Sequence, residues 1–280
     1  MRINLAKSAG FCFGVRRALT IALETAQKGR PAYMLGDIVH NEDVVRRIKM
    51  AGIKKISSLG NGRNRILLIR AHGTDKETFK QAKEAGYTIV DATCPMVKQI
   101  HRIAQEMERK NYRIIIIGDE NHEEVRGIIG QLKHKALVID DSLGLPLRTL
   151  LTIRKACIVV QSTQNLAKVS GIVTRLKTYI RDIRFFNTVC KPTRMKQEEI
   201  KQMPLHNDVM VIIGSKASAN TRRLFEIAKS LNPRTHWVQR APDLRPGWFR
   251  QAKSVGVTSG ASTPDETTQA VIKRLRSIKL

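Results

Sequence analysis

The 280-residue sequence predicts an α/β protein built from three similar lobes. Two observations carry this. Short, near-continuous apolar runs alternate with stretches of helical period, the pattern of parallel sheets covered by helices. The succession of runs, cysteines and polar loops also comes round three times, at one fixed interval.

The first set of runs ends at cysteines that open helix-like stretches. They are Ile3 to Cys12 before Val15–Lys28, Thr88 to Cys94 before Met96–Lys110, and Phe185 to Cys190 before Thr193–Met203. A second set starts at Tyr33, Ile114 and Met210, and each run leads into a polar loop that begins at His40, His122 or Ser218. Each of those three residues follows its cysteine by 28 positions. A third set, starting at Ile66, Cys157 and Val255, ends at His72, Ser162 and Ser262, before helical patterns at Lys76–Ala85, Leu166–Tyr179 and Pro264–Ser277. Weaker strand candidates at Ile53–Ser57, Ala136–Asp140 and Thr235–Gln239 sit at matching places. In parallel sheets, polar side chains at the carboxyl ends of strands face the ligand crevice. One cysteine per unit points to a shared site, and the units divide as 1–94, 95–190 and 191–280.

Composition narrows the class. The hydrophobic share of 42% suits a chain with a real core, and the strongest run, Ile114–Gly118, has the length of a strand. A membrane span needs about 20 apolar residues. The segment Met1–Lys7 lacks a secretory apolar stretch, so a cytoplasmic protein with no membrane partner is expected. Fifty Lys and Arg against 24 Asp and Glu give a net charge of +26, which attracts anions. The basic residues come as singles and doublets such as Arg16-Arg17 and Arg222-Arg223, as on a solvated surface, and aromatics are only 5%. No nucleic-acid module is recognisable, and none is expected to bind. A basic metal-binding or nucleic-acid-binding protein without catalysis is the alternative class.

The four cysteines lie too far apart for a secreted disulfide framework. Cys157, within Ala156-Cys157-Ile158-Val159-Val160, reads as a core residue. Cys12, Cys94 and Cys190 instead sit at strand-to-helix turns flanked by Gly or Pro, where a helix N-terminus favours the metal-binding thiolate. Three thiolates without a fourth suit an iron–sulfur cluster with one open iron. A zinc site of three cysteines and a histidine is the other reading of the same spacing. The remaining strand-end residues, His40, His72, His122, Ser162, Ser218, Asn220 and Ser262, are of the kinds that bind a phosphate or diphosphate. Glu124 is the nearest candidate proton donor, with Glu123 as its alternative.

These residues fall in motifs: Gly10-Phe11-Cys12-Phe13-Gly14-Val15-Arg16-Arg17-Ala18, Ala71-His72-Gly73, Asp91-Ala92-Thr93-Cys94-Pro95, Asn121-His122-Glu123-Glu124-Val125, Gly214-Ser215-Lys216 and Gly260-Ala261-Ser262-Thr263-Pro264. In this order they closely resemble the hydroxymethylbutenyl diphosphate reductases, from about Ile3 to about Ile278. The resemblance implies a trefoil of three α/β domains around one [4Fe–4S] cluster held by Cys12, Cys94 and Cys190. It implies reduction of (E)-4-hydroxy-3-methylbut-2-enyl diphosphate, its hydroxyl at the fourth iron, to isopentenyl and dimethylallyl diphosphate with loss of water. His40, His72, His122, Ser218, Asn220 and Ser262 fall on the family's diphosphate-binding positions. Glu124 falls on its proton donor, with Ser162, often a threonine there, as a relay. The excess of basic residues suits a small acidic electron donor such as a ferredoxin or flavodoxin as partner, an expectation from charge. The chain departs from the pattern at Ala219, Glu123, Lys191-Pro192 and Lys196, the last standing where arginine is common.

Overall fold

The computed structural model describes residues 1–140 and 144–278. The elements begin with β1 (Arg2–Leu5), α1 (Phe13–Ala26), β2 (Ala32–Leu35), α2 (Glu42–Met50), β3 (Lys54–Ile56), β4 (Ile66–Ile69), α3 (Lys76–Glu84) and β5 (Thr88–Asp91). Next come α4 (Pro95–Arg109), β6 (Arg113–Ile117), α5 (Glu123–Ile129), β7 (Leu137–Ile139), α6 (Leu147–Leu150), β8 (Lys155–Val160), α7 (Leu166–Leu176) and β9 (Asp182–Phe185). The last third holds α8 (Lys191–Gln202), β10 (Val209–Ile213), α9 (Ala219–Leu231), β11 (Thr235–Val238), β12 (Ser254–Ser259) and α10 (Asp265–Ser277).

The strands form three four-stranded parallel sheets with orders β3-β2-β4-β5, β7-β6-β8-β9 and β11-β10-β12-β1. The three orders are equivalent, so the repeat seen in the sequence is a repeat of sheets. Its fourth strand is always the one that precedes a cysteine. In the last sheet that strand is β1, with Arg2 opposite Ser254 and Leu5 opposite Val257. The chain divides into two compact units: Met1–Arg16, Val39–Arg47 and Lys191–Leu280 form one, and Arg17–Ile38 with Ile48–Cys190 the other. The first unit contains the sheet of β10–β12 and β1; the second contains the other two sheets.

The continuous apolar runs are central strands buried on both faces. Side chains of β6 and β8 alternate between two cores. Ile115, Ile117, Ile158 and Val160 pack with Val169, Ile172 and Leu176 of α7. Ile114, Ile116, Cys157 and Val159 pack with Ile100 and Ala104 of α4 and Val125 and Ile128 of α5. In the other unit Val209, Val211 and Ile213 face α10, while Met210 and Ile212 face α9.

The cysteine-bearing runs are shorter as strands than their apolar stretches suggest. β1 ends at Leu5, because the chain turns at once, with Ala9 N–H to Ala6 O at 3.2 Å; Gly10 follows at φ +90°, where a Cβ would lie 2.1 Å from Asp265 Oδ1. β9 lies upstream of the expected run and ends at Phe185, where the run was expected to start. It is an edge strand whose Asp182 and Arg184 point to solvent, so no apolar stretch marks it.

Cys157 is fully buried and its thiol pKa is pushed up to about 12 by that burial, so it stays protonated and inert. Replacing it with serine places a hydroxyl among apolar neighbours, at a cost of about 1–3 kcal/mol. The guanidinium unfolding midpoint of Cys157→Ser should fall accordingly; an unchanged midpoint contradicts this account of the core.

Candidate active site

The three remaining cysteines share one backbone setting. Cys12 donates its N–H to Ala261 O at 3.0 Å, Cys94 to Ala71 O at 2.9 Å, and Cys190 to Ser162 O at 3.1 Å. Each acceptor lies in the loop just past the neighbouring strand, β12, β4 or β8. Each cysteine precedes a helix, α1, α4 or α8, and each is half-buried, unlike Cys157. At Cys12 the Val15 N–H, in the first turn of α1, points at the sulfur at 3.4 Å, an arrangement that favours thiolate.

In the unit of residues 17–38 and 48–190, a continuous set of groups runs from Cys94 to Cys190. The carbonyl that receives the Cys94 N–H belongs to Ala71, next to His72. The His72 ring meets His122 edge-on, with centroids 5.4 Å apart. Gly73, at φ +74°, permits this loop: a Cβ would sit 3.0 Å from His101 Cε1 and 3.2 Å from Thr93 Cγ2. The loop is tied to the end of α5 by Lys76 N–H to Gly130 O at 3.1 Å and Gln131 Nε2 to Thr74 O at 2.7 Å. His122 caps α5, its Nδ1 accepting from the Glu124 N–H at 3.1 Å. In the neutral ring that leaves the proton on Nε2, as a donor.

Glu123 and Glu124 diverge because neighbours on a helix point about 100° apart. Glu123 pairs with Arg70 and lies 3.5 Å from His72 Nδ1. Glu124 is 1% exposed and accepts from Ser162 N–H at 2.6 Å and Ser162 Oγ at 2.8 Å. Burial raises its pKa above the usual carboxylate range; the Ser162 hydrogen bonds oppose this only in part. Ser162 supplies both the hydroxyl on Glu124 and the carbonyl on Cys190.

In the other unit, Ser262 Oγ donates to His40 O at 3.1 Å, and Asn41 Oδ1 caps α2 through the Asp43 and Val44 amides. Ser218 caps the 13-residue α9 by accepting from Thr221 N–H at 3.3 Å. Asn220, in the first turn of that helix, is 4% exposed, and its buried Nδ2 finds no hydrogen-bond partner among the described residues. An orphaned buried amide costs about 1–3 kcal/mol, and at a helix N-terminus an anion would satisfy it. Ala219 offers no side-chain donor beside it.

Several further residues position these groups. Arg70 holds Glu123 away from Ser162. Asp91 accepts from Thr93 N–H and pairs with Lys98 at 2.6 Å, fixing the turn before Cys94. His101, packed behind Gly73, is driven down to about 4 by burial and so is neutral. Lys196 and Glu199 of α8 grip the loop before Cys12.

Comparison with known proteins shows the family. The family profile described as LytB protein matches residues 3–276. The 4-hydroxy-3-methylbut-2-enyl diphosphate reductase of Geobacter metallireducens is 38% identical over 99% of this chain and 98% of its own. That of Aquifex aeolicus is 36% identical over 99% and 96%. A solved structure of (E)-4-hydroxy-3-methyl-but-2-enyl diphosphate reductase, the terminal enzyme of the non-mevalonate pathway, superposes with a TM-score of 0.73 at 36% identity, covering 99% of this chain and all of that one. The E-1-hydroxy-2-methyl-but-2-enyl-4-diphosphate reductase of Plasmodium falciparum gives 0.90 at 28% identity, covering 99% and 88%. With motifs, sheet order and full-length similarity in agreement, the chain belongs to the LytB family of 4-hydroxy-3-methylbut-2-enyl diphosphate reductases.

Proposed function

We propose that this chain catalyses the reductive dehydroxylation of (E)-4-hydroxy-3-methylbut-2-enyl diphosphate. The allylic C–O bond breaks, a C–H bond forms, and two electrons and two protons yield isopentenyl or dimethylallyl diphosphate and water. The observation that carries this reading is the Glu124–Ser162 pair. Hydroxide is a poor leaving group, and a buried carboxylic acid that keeps its proton beside a hydroxyl can turn it into water. The proton passes from Glu124 through Ser162 Oγ to the departing oxygen.

The diphosphate falls to His40, His72, His122, Ser218, Asn220 and Ser262. Supporting this are the Asn220 amide left without an acceptor, the N-terminus of α9, and the Nε2 proton of His122. Cys12, Cys94 and Cys190 are fit to hold one [4Fe–4S] cluster: their equivalent, half-exposed turns and the amide directed at Cys12 Sγ suit thiolate ligands. Bound there, the cluster would supply electrons and a Lewis-acidic iron for the substrate hydroxyl. A cytoplasmic, reducing setting keeps such thiols available, and none of the described helices is long and apolar enough to cross a membrane. With +26 charges, a small acidic carrier such as a ferredoxin or flavodoxin fits as electron donor. The family membership does not favour the non-catalytic binding protein considered from composition.

Anaerobically purified protein should be brown and contain iron and acid-labile sulfide. Cys12→Ser, Cys94→Ser and Cys190→Ser should each lose them, while Cys157→Ser keeps them. Stoichiometric zinc and no iron after anaerobic reconstitution would refute the cluster.

Glu124→Gln keeps the shape and removes the proton, so turnover should drop by about 10² to 10⁴ with cluster and diphosphate binding intact. Glu123→Gln, which loosens the contacts with Arg70 and His72 but leaves Ser162 alone, should stay close to wild type. The reverse result would move the proton donor to Glu123.

The same carboxyl sets a pH dependence of stability. Its folded pKa is raised, so its stabilising contribution is complete below the unfolded carboxylate pKa and is lost as pH rises through the folded value. Melting temperatures of the wild type should therefore decline relative to Glu124→Gln across that window; parallel curves would show that Glu124 does not hold its proton.

A further inference from the structure

Among the described residues Lys196 is the buried lysine, 2% exposed on the inner face of α8. Its ammonium donates to two carbonyls, those of Ser8 and, at 3.0 Å, Ser259. Both belong to the segments that hold Cys12. The Ser259 hydroxyl accepts from Gly10 N–H at 2.6 Å, and Ala261 O accepts from Cys12 N–H. One turn further along α8, Glu199 accepts from Lys7 N–H at 2.5 Å, Ser8 N–H at 2.9 Å and Ser8 Oγ at 2.5 Å. A cation and an anion on one face of α8 therefore grip the same loop.

The two charges are matched differently. Glu199 is satisfied by three donors. Lys196 rests on neutral carbonyls, which orient an ammonium without cancelling its charge. A buried cation in such a setting is costly to keep. Burial pulls its pKa down to about 8, opposed by the negative charge available at Cys12, then Glu199 and Asp265. Asp265 itself faces Arg16 at 3.6 Å. A further negative charge arriving at Cys12 would offset what the burial of Lys196 costs.

We propose that Lys196 is a positioning residue with a redox consequence: its ammonium pins the Ser8–Cys12 loop to the end of β12 and stabilises the reduced form of an iron–sulfur cluster ligated by Cys12. This rests on the cluster assignment above. A fixed positive charge beside a ligand favours the added electron, so removing it lowers the reduction potential.

The test is an anaerobic redox titration of reconstituted holoprotein, followed by electron paramagnetic resonance, on wild type, Lys196→Arg, Lys196→Gln and Glu199→Gln. The Gln variant at 196 should shift to more negative potential by roughly tenfold in the one-electron equilibrium, about 59 mV, and the Arg variant should restore the wild-type value. Glu199→Gln should shift the potential in the opposite direction, which slackening of the loop alone would not produce. A cluster-loaded Lys196→Gln protein at the wild-type potential overturns the proposal, as does a shift of the same sign in both Gln variants. If Lys196→Gln assembles no cluster, Lys196→Arg decides: assembly at the wild-type potential upholds the role of charge, and failure overturns it. Wild-type protein without iron and sulfide would instead sink the cluster assignment itself.

Discussion

Three backbone hydrogen bonds set the arrangement on which everything else depends: Cys12 to Ala261, Cys94 to Ala71, and Cys190 to Ser162. A parallel sheet directs the carboxyl ends of adjacent strands to the same edge. The residue leaving an edge strand can then spend its N–H on the loop of its neighbour. That one bond places a thiol next to a residue proposed for the site, His72 after Ala71, Ser262 after Ala261, and Ser162 itself. Sequence separation is irrelevant to this economy; strand order is what counts. The helix that follows each cysteine contributes its N-terminal amides to the same end of the sheet.

The proposed acid chemistry rests on a contrast between two adjacent glutamates. Glu123 is paired with Arg70, whereas burial raises the pKa of Glu124 and the Ser162 hydrogen bonds oppose it only in part. The rotation of about 100° between successive helix positions is enough to put them in different dielectric surroundings. Ser162 then serves two masters, with its backbone oxygen on a cysteine and its hydroxyl on the acid. A substitution there disturbs both.

Much of this was legible in the sequence. Central strands such as Ile66–Ile69 and Val209–Ile213 declare themselves because burial on both faces demands unbroken apolar runs. The 28-residue interval located His122 and Ser218, and the structure shows why: both cap the helix that follows the equivalent strand of their sheets, β6 and β10. What escaped were features without apolar signal. β9 is polar on its open side, and the pairing of Arg2–Leu5 with Ser254–Val257 joins opposite ends of the chain. The inner face of α8 carries Thr193, Lys196 and Gln197 beside Ile200, so its period is written in polar residues. Which of Glu123 and Glu124 turns inward is likewise a matter of helix phase, fixed by where α5 starts.

The pairing of β1 also dictates an order of events during synthesis. The strand partner of Arg2–Leu5 is translated about 250 residues later. At ~5–20 residues per second, the segment carrying Cys12 waits roughly 10–50 s for the sheet edge and the α8 side chains that hold it. Until then a nascent chain can shape the two sheets of residues 32–185, but the third sheet lacks a strand. Loading of the proposed cluster at Cys12 would thereby wait until β12 and α8 have both been translated.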